Sequence, residues 1–362
     1  MNHSIFMQRA IQLAKRGKGW TNPNPIVGCV VVKDGQIIAE GYHQRYGDWH
    51  AERNAILSYQ GDISGATVYV TLEPCCHYGR TPPCSELLIE KGVGTVVIGS
   101  RDPNPLVSGQ GVKALRDAGI TVIQDELKAE CDALNPIFFH YIQSKRPYVL
   151  MKYAMTADGK IATCSGESKW ITSEPARKFV QQTRHEYSAI MVGVETVLAD
   201  DPMLNCRLPN AKQPVRIICD SNLRTPLNSQ LVITAKNYRT LIATINTNEE
   251  QHQAYQQYGV EILVTKAKNK RVDFDDLLQK LGQYSIDSLL IEGGATLNFS
   301  VLESGLVNRV HCYIAPKLVG GVTAKTPIGG IGIGQLCNAI KLKQPIVSLI
   351  GDDILLDYEV MN

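Results

Sequence analysis

Near the start of the chain, Ile5, Phe6, Ala10, Leu13 and Ala14 recur close to a 3.6-residue period, which predicts an amphipathic helix. IVGCVVV (26–32) is a short apolar run behind the turn-rich TNPNP and reads as a strand, with KDG after it as a hairpin turn. HAERNAILSY (50–59) has helical spacing, ATVYVTL (66–72) is a strand, and CSELLIEKG (84–92) is a helix ending at Gly92. VGTVVIGS (93–100) is a further strand, followed by a helix around 110–118, the strand ITVI (120–123) and a helix from about 125 to 142. Alternation of this kind predicts an α/β layer fold.

SKRPYVL (144–150), polar and proline-containing, separates this alternation from a second one, which sets two domains at 1–145 and 146–362. The second includes the apolar runs AIMVGV (189–194), VRIICD (215–220), LLIEGG (289–294) and VHCYIAPKLVG (310–320). Residues 243–270, rich in Asn, Gln and Lys, carry no clear pattern.

Two domains suit 362 residues, given ~150 per domain. Thirty-seven Lys and Arg balance 35 Asp and Glu, too evenly to draw the chain non-specifically onto nucleic acid. No apolar stretch approaches the ~20 residues of a membrane span, and no separate apolar block with a cleavage site opens the chain. Ten irregularly scattered cysteines differ from a secreted disulfide framework. The expectation is a cytoplasmic protein acting on small molecules, with neither nucleic acid nor membrane as partner.

The densest chemistry lies in HAE and in EPCCHYGRTPPC. His50, Cys75 and Cys84 offer one imidazole and two thiolates, the three ligands of a catalytic zinc site that keeps a fourth position open. Glu52, two residues from His50, can lean into the same pocket and carry a proton to a leaving nitrogen. H-x-E followed by P-C and a second cysteine is a deaminase signature, but here eight residues separate the cysteines. Cys76 competes as a ligand on position alone, a structural zinc site is the plainer alternative, and Cys29 reads as core.

TNPNPIVGCVVVKDG, GYHQRYGDWHAE, TLEPCCHYGRTPPC and RDPNPLVSGQG, in that order, resemble the deaminase half of the bifunctional bacterial deaminase/reductases of riboflavin biosynthesis. The resemblance implies a cytidine-deaminase-like α/β/α domain. It also implies removal of the 2-amino group of 2,5-diamino-6-(phosphoribosylamino)pyrimidinone as ammonia. On matching positions, Asn24 and His43 would contact substrate and Arg80 its phosphate.

Downstream, KYAMTADGKIAT (152–163) and GESKWITSEPAR (166–177) have the form strand, loop, helix, with Ser173 as N-cap. Arg184 and Arg207 read as a pair of phosphate-holding guanidiniums. Glu292 and two glycines end a strand before a helix, where N–H groups can meet a phosphate, although no G-x-G-x-x-G is present. Lys152 and Glu292, at strand ends, are the candidate proton carriers. Residues 147–320 resemble the family's reductase half, which is similar to dihydrofolate reductase in fold and uses NADPH. The resemblance assigns Ala154, Trp170, Thr196, Asp200, Ser221 and the run Gly294, Ala295, Thr296, Leu297, Asn298, Phe299 and Ser300 to NADPH. It assigns Ser168, Arg184, Leu204, Arg207 and Glu292 to substrate.

Two other functions fit parts of the pattern: a nucleotide or tRNA-base deaminase with a degenerate second domain, and a zinc-stabilised nucleotide-binding protein. Exposed strand edges in both halves predict a homodimer or homotetramer.

Overall fold

The structure is a computed structural model that describes residues 2–79, 81–104 and 107–361. It divides into two units, 1–145 and 146–362, at the predicted joint. Arg80 lies outside the described residues.

In the first unit, α1 (His3–Ala14) is followed by the hairpin β1 (Gly28–Lys33) and β2 (Gln36–Tyr42). Then come α2 (Ala51–Leu57), β3 (Thr67–Leu72), α3 (Cys84–Glu90), β4 (Thr95–Ser100), α4 (Gln110–Asp117), β5 (Thr121–Ile123), α5 (Lys128–Asp132) and α6 (Pro136–Ser144). The strands form one sheet in the order β2-β1-β3-β4-β5, antiparallel at β1 and parallel from β3 to β5. Successive strand residues face opposite ways, so Val30 and Val32 pack with α1, while Cys29 and Val31 pack with residues of α2, α3 and α4. The result is a three-layer α/β/α unit, and Cys29 is core. Helix α1 buries Met7, Ala10, Ile11, Leu13 and Ala14. Ile5, counted above in the apolar stripe, is instead 60% exposed.

The long helix expected over 125–142 is two helices. Asn135 breaks it: its side chain accepts from the Ile26 N–H at 2.8 Å and donates to the Ile26 carbonyl at 2.9 Å. Pro136 then starts α6, where its missing N–H is no loss.

The second unit runs β6 (Tyr148–Thr156), α7 (Glu174–Glu186), β7 (Ala189–Gly193), α8 (Val194–Asp200), β8 (Val215–Cys219), α9 (Gln230–Ile233), β9 (Thr240–Thr244), α10 (Glu249–Gln256) and β10 (Glu261–Val264). It continues through a small hairpin, β11 (Ala267–Lys268) and β12 (Arg271–Val272), to α11 (Phe274–Gln283), β13 (Ser288–Ile291), α12 (Ala295–Glu303), β14 (Arg309–Ala315), β15 (Ile346–Ile350) and β16 (Asp353–Glu359). Nine strands form one sheet, β10-β9-β8-β7-β13-β6-β14-β16-β15, parallel from β10 to β14 and antiparallel beyond. Parallel strands buried on both faces read as unbroken apolar runs, and Ile190, Met191, Ile217, Leu289 and Leu290 are all inaccessible to solvent. The unpatterned 243–270 holds α10, with Asn248 accepting from the Gln251 N–H at its start. Ser173 does occupy the N-cap of α7, but its hydroxyl donates to Asp353 at 2.6 Å instead of capping.

Gly41 sets how closely α2 approaches β2: a Cβ there would lie 2.3 Å from the Ala55 nitrogen and 2.6 Å from the Ala51 oxygen. Because His50 and Glu52 sit at the head of α2, Gly41→Ala should displace them and destabilise the unit by about 1–3 kcal/mol. Thermal melting and bound-metal analysis check this. An unchanged midpoint with full metal content would contradict it.

Candidate active sites

His50 occupies the N-cap of α2 in an extended conformation, which turns its ring inward and places Glu52 in the first helical turn. Cys84 opens α3 directly after Pro83, and Cys75 lies in the loop leaving β3. The Cys84 N–H donates to the Cys75 sulfur at 3.3 Å and the Ser85 N–H to the Cys75 carbonyl at 3.1 Å, fastening that loop to the helix. His50 Nδ1 is 3.4 Å from the Cys75 sulfur and 3.5 Å from the Cys84 sulfur. Tetrahedral zinc with ordinary Zn–N and Zn–S lengths requires an N–S edge of about 3.5 Å, so these donors fit. Among the described residues the converging set is His50, Cys75 and Cys84, without Cys76.

The charges carry the same message. The hydrogen bond from the Cys84 thiol draws Cys75 down to about 4, against burial and with help from His50. Cys84 is correspondingly pushed well up, by the same hydrogen bond and by burial. The protein alone keeps one proton between the two sulfurs, and a divalent cation is what allows both to be thiolates. Burial raises the Glu52 carboxyl above its ordinary value, so it holds a proton more readily than a solvated glutamate.

His50, Glu52 and Cys75 line a cavity of about 340 Å³ that also includes Asn24, His43, His77, Asp102 and Asn104. His43 is buried, and its Nδ1 meets the Trp49 carbonyl at 3.0 Å. A carbonyl only accepts, so Nδ1 carries the proton and Nε2 turns its lone pair to the Asn24 amide, 3.5 Å away. Asp102, raised to about 6 mainly by burial, was not singled out from sequence. Its signal was RDPNP at the end of a strand, a motif used only for the family likeness.

In the second unit, the NADPH candidates lie along the edge formed by the carboxyl ends of parallel strands, where open α/β sheets bind ligands. Ala154 is near the end of β6, Thr196 and Asp200 are on α8 after β7, Ser221 follows β8, and Gly294 caps α12 after β13. A Cβ on Gly294 would be 3.3 Å from the Thr196 hydroxyl, so these two positions adjoin. Leu297, Asn298 and Phe299 are buried, and Asn298 donates to the Pro327 carbonyl, so what α12 offers a ligand is the N–H groups of Ala295 and Thr296. Ser300 bonds back to Thr296. The Ser221 hydroxyl accepts from the Val272 N–H. Trp170 is 59% exposed with the Arg177 guanidinium 4.6 Å over its ring, and Ser168 lies two residues before it, half-buried.

Glu292 clamps the other candidates. Arg184 grips it with two hydrogen bonds of 2.8 and 2.9 Å, and the Lys152 ammonium lies 3.2 Å away. The expected arginine pair is therefore not formed: Arg184 is committed to Glu292, and Arg207 stands exposed as the remaining cation. Burial would raise the Glu292 carboxyl, but Arg184 and then Lys152 outweigh it and hold it down to about 2. Such a carboxylate carries no proton at neutral pH. It orients Lys152, and of the two proposed proton carriers Lys152 is left.

Residues 1–100 match the family model described as the cytidine and deoxycytidylate deaminase zinc-binding region, and residues 147–356 match the RibD C-terminal domain. A riboflavin biosynthesis protein RibD from Actinobacillus pleuropneumoniae is 71% identical across 99% of this chain and 95% of its own. The chain belongs to the RibD family. Its Escherichia coli relative of the same name is 40% identical over 98% of this chain and 99% of that one. A Thermotoga maritima crystal structure, titled a diaminohydroxyphosphoribosylaminopyrimidine deaminase/5-amino-6-(5-phosphoribosylamino)uracil reductase, is 39% identical with a TM-score of 0.88, covering 99% of both chains. A RibD structure from Acinetobacter baumannii also gives 0.88, at 40% identity and 99% of both chains. Like other RibD proteins, the chain is a bifunctional enzyme of riboflavin biosynthesis, a zinc deaminase followed by an NADPH reductase. The match of residues 147–356 to the RibD C-terminal domain favours this reading over a deaminase with a degenerate second half or a nucleotide-binding protein.

The clamp makes acid stability a readout. Glu292 is held below the ~4.3 of an unfolded glutamate, so its contribution is fully present above that value and is lost as pH falls towards 2. In urea unfolding from pH 7 to 3, the second unit should lose about 2 kcal/mol more than its Glu292→Gln variant, with the remainder going only as pH falls below 3. Parallel pH profiles would contradict the clamp.

Proposed function

We propose that the first unit hydrolyses the exocyclic C–N bond of 2,5-diamino-6-(5-phosphoribosylamino)pyrimidin-4(3H)-one, releasing ammonia. The second unit then reduces the ribosyl group of 5-amino-6-(5-phosphoribosylamino)uracil to ribityl. The observation that supports this best is the convergence of His50, Cys75 and Cys84 around a buried Glu52, in one chain with a RibD reductase domain.

When bound at the three donors, zinc supplies Lewis acidity that brings a water's pKa to about 7. Glu52, enclosed and with raised proton affinity, takes the proton as the C–O bond forms and returns it to the leaving nitrogen. His43, locked in one tautomer by Trp49, and Asn24 orient the pyrimidine. Arg80 is assigned to the substrate phosphate.

In the second unit NADPH, when bound, supplies the hydride that the ribosyl carbon accepts. Lys152, fixed by Glu292, delivers a proton to the sugar oxygen as the ring opens, and Glu292 and Arg184 together form the floor beneath it. Ser168, Leu204 and Arg207 complete the substrate site. Ala154, Trp170, Thr196, Asp200, Ser221 and the start of α12 from Gly294 to Thr296 hold NADPH, with Leu297 to Ser300 supporting that turn from within the helix.

We place the enzyme in the cytoplasm, where its ten free thiols stay reduced. Among the described residues no helix is long and apolar enough to cross a membrane. A homo-oligomer follows from the edge strand β15, where Ile346, Val347 and Leu349 are all more than 60% exposed.

Supplying the diaminopyrimidine phosphate to paired variants tests both steps. Glu52→Gln should keep its metal and lose roughly 10²–10⁴ in ammonia release, while reducing pre-deaminated substrate normally. Lys152→Met should do the reverse, with NADPH binding unchanged. Normal ammonia release by Glu52→Gln, or full reductase turnover by Lys152→Met, would refute the corresponding role.

A further inference from the structure

Residues 202–207 form neither helix nor strand, yet their backbone is held from several sides. Leu204 is 4% exposed with a φ of 50°, a left-handed conformation that costs a leucine about 1–2 kcal/mol. Strain of this kind persists only where the surroundings over-determine it, and it concentrates at ligand sites.

The restraints are explicit. Gln181, buried on α7, accepts the Arg207 N–H on its side-chain oxygen at 2.8 Å, and its own carbonyl accepts the Cys206 thiol at 3.2 Å. Arg184, three residues along the same helix, donates to the Asn205 carbonyl at 2.8 Å. Gln213 exchanges two hydrogen bonds with the Cys206 main chain, at 2.9 and 2.8 Å. Arg216, wholly buried, donates to the Met203 carbonyl at 3.1 Å, while the rest of its fork is held by Thr240, Thr234 and the Leu231 and Tyr238 carbonyls.

Every residue from Met203 to Arg207 except the strained Leu204 is thus pinned through its backbone, which leaves the Arg207 side chain exposed and free to meet a ligand. We propose that Gln181 is a positioning residue for the reductase substrate: it fixes the main chain of Arg207 and so aims the guanidinium at an anionic group of that substrate. The inference rests on the reading that Arg207 contacts the substrate. Helix α7 then serves the site twice on one face, through Arg184 to Glu292 and through Gln181 to Arg207.

Reductase kinetics on the full-length enzyme, with pre-deaminated substrate, test this through Gln181→Leu, Arg207→Ala and the double variant. Gln181→Leu should raise KM about tenfold, the size of one hydrogen bond to a positioned group. Its kcat, its KM for NADPH and its deaminase activity should stay unchanged, and Gln181→Glu, which keeps the accepting oxygen, should recover most of the loss. In the Arg207→Ala background the Gln181 change should add almost nothing, because both act through one contact. Should Gln181→Leu fold poorly, Gln181→Asn supplies the same test, withdrawing the oxygen by one methylene while keeping the amide. Additive effects, or an unchanged KM where Arg207→Ala does weaken binding, would overturn the role of Gln181. An unchanged KM in Arg207→Ala would instead remove the substrate contact itself, and the proposal with it.

Discussion

Two sulfurs and an imidazole whose donor atoms lie within 4.8 Å of one another, with Cys84 buried and His50 and Cys75 half-buried, cannot all take their metal-binding charge states unaided. Hydrogen bonding between Cys75 and Cys84 leaves one sulfur ionised and the other protonated. A dication removes that frustration and converts both to ligands. The architecture of the first unit serves this arrangement: α2 is pressed onto β2 through Gly41, α3 begins at the second cysteine, and the intervening loop is tied back by main-chain hydrogen bonds. Glu52 then needs no positioning of its own, because the first turn of α2 already carries it into the cavity.

The second unit solves a different electrostatic problem with a similar economy of elements. A buried carboxylate, Glu292, is neutralised by Arg184 and Lys152 at the carboxyl edge of the parallel strands. A buried ion pair of this kind is weak evidence for stability in itself, since desolvation opposes it. Its value here is orientational: it fixes Lys152 beside the end of β13, although Lys152 itself lies midway along β6 and not at the strand end its sequence position suggested.

Legibility in the sequence tracked distance along the chain. H-x-E and the two P-C pairs were readable because each is local, a helix start that dictates where its own side chains point. The apolar runs of the parallel strands were readable for a similar reason, as was the joint at 144–150. What escaped depends on remote partners. The 125–142 helix breaks because Asn135 bonds to Ile26, 109 residues away, and only Pro136 hinted at it. Arg184 looked like a phosphate holder because Glu292, 108 residues on, cannot be seen from its neighbourhood. Asp102 lay in a motif noticed for likeness alone. Ile5 fitted a helical period whose phase is set by β1, which sequence periodicity does not specify.

The claim on which all this depends is that the His50, Cys75 and Cys84 set holds a metal needed for one reaction and not the other. Elemental analysis of protein purified without chelators, followed by metal stripping and separate assays of the two half-reactions, addresses it directly. The account predicts about one zinc per chain, loss of ammonia release on stripping with recovery on zinc addition, and reductase turnover unaffected throughout. Metal-free protein that releases ammonia at full rate would contradict it.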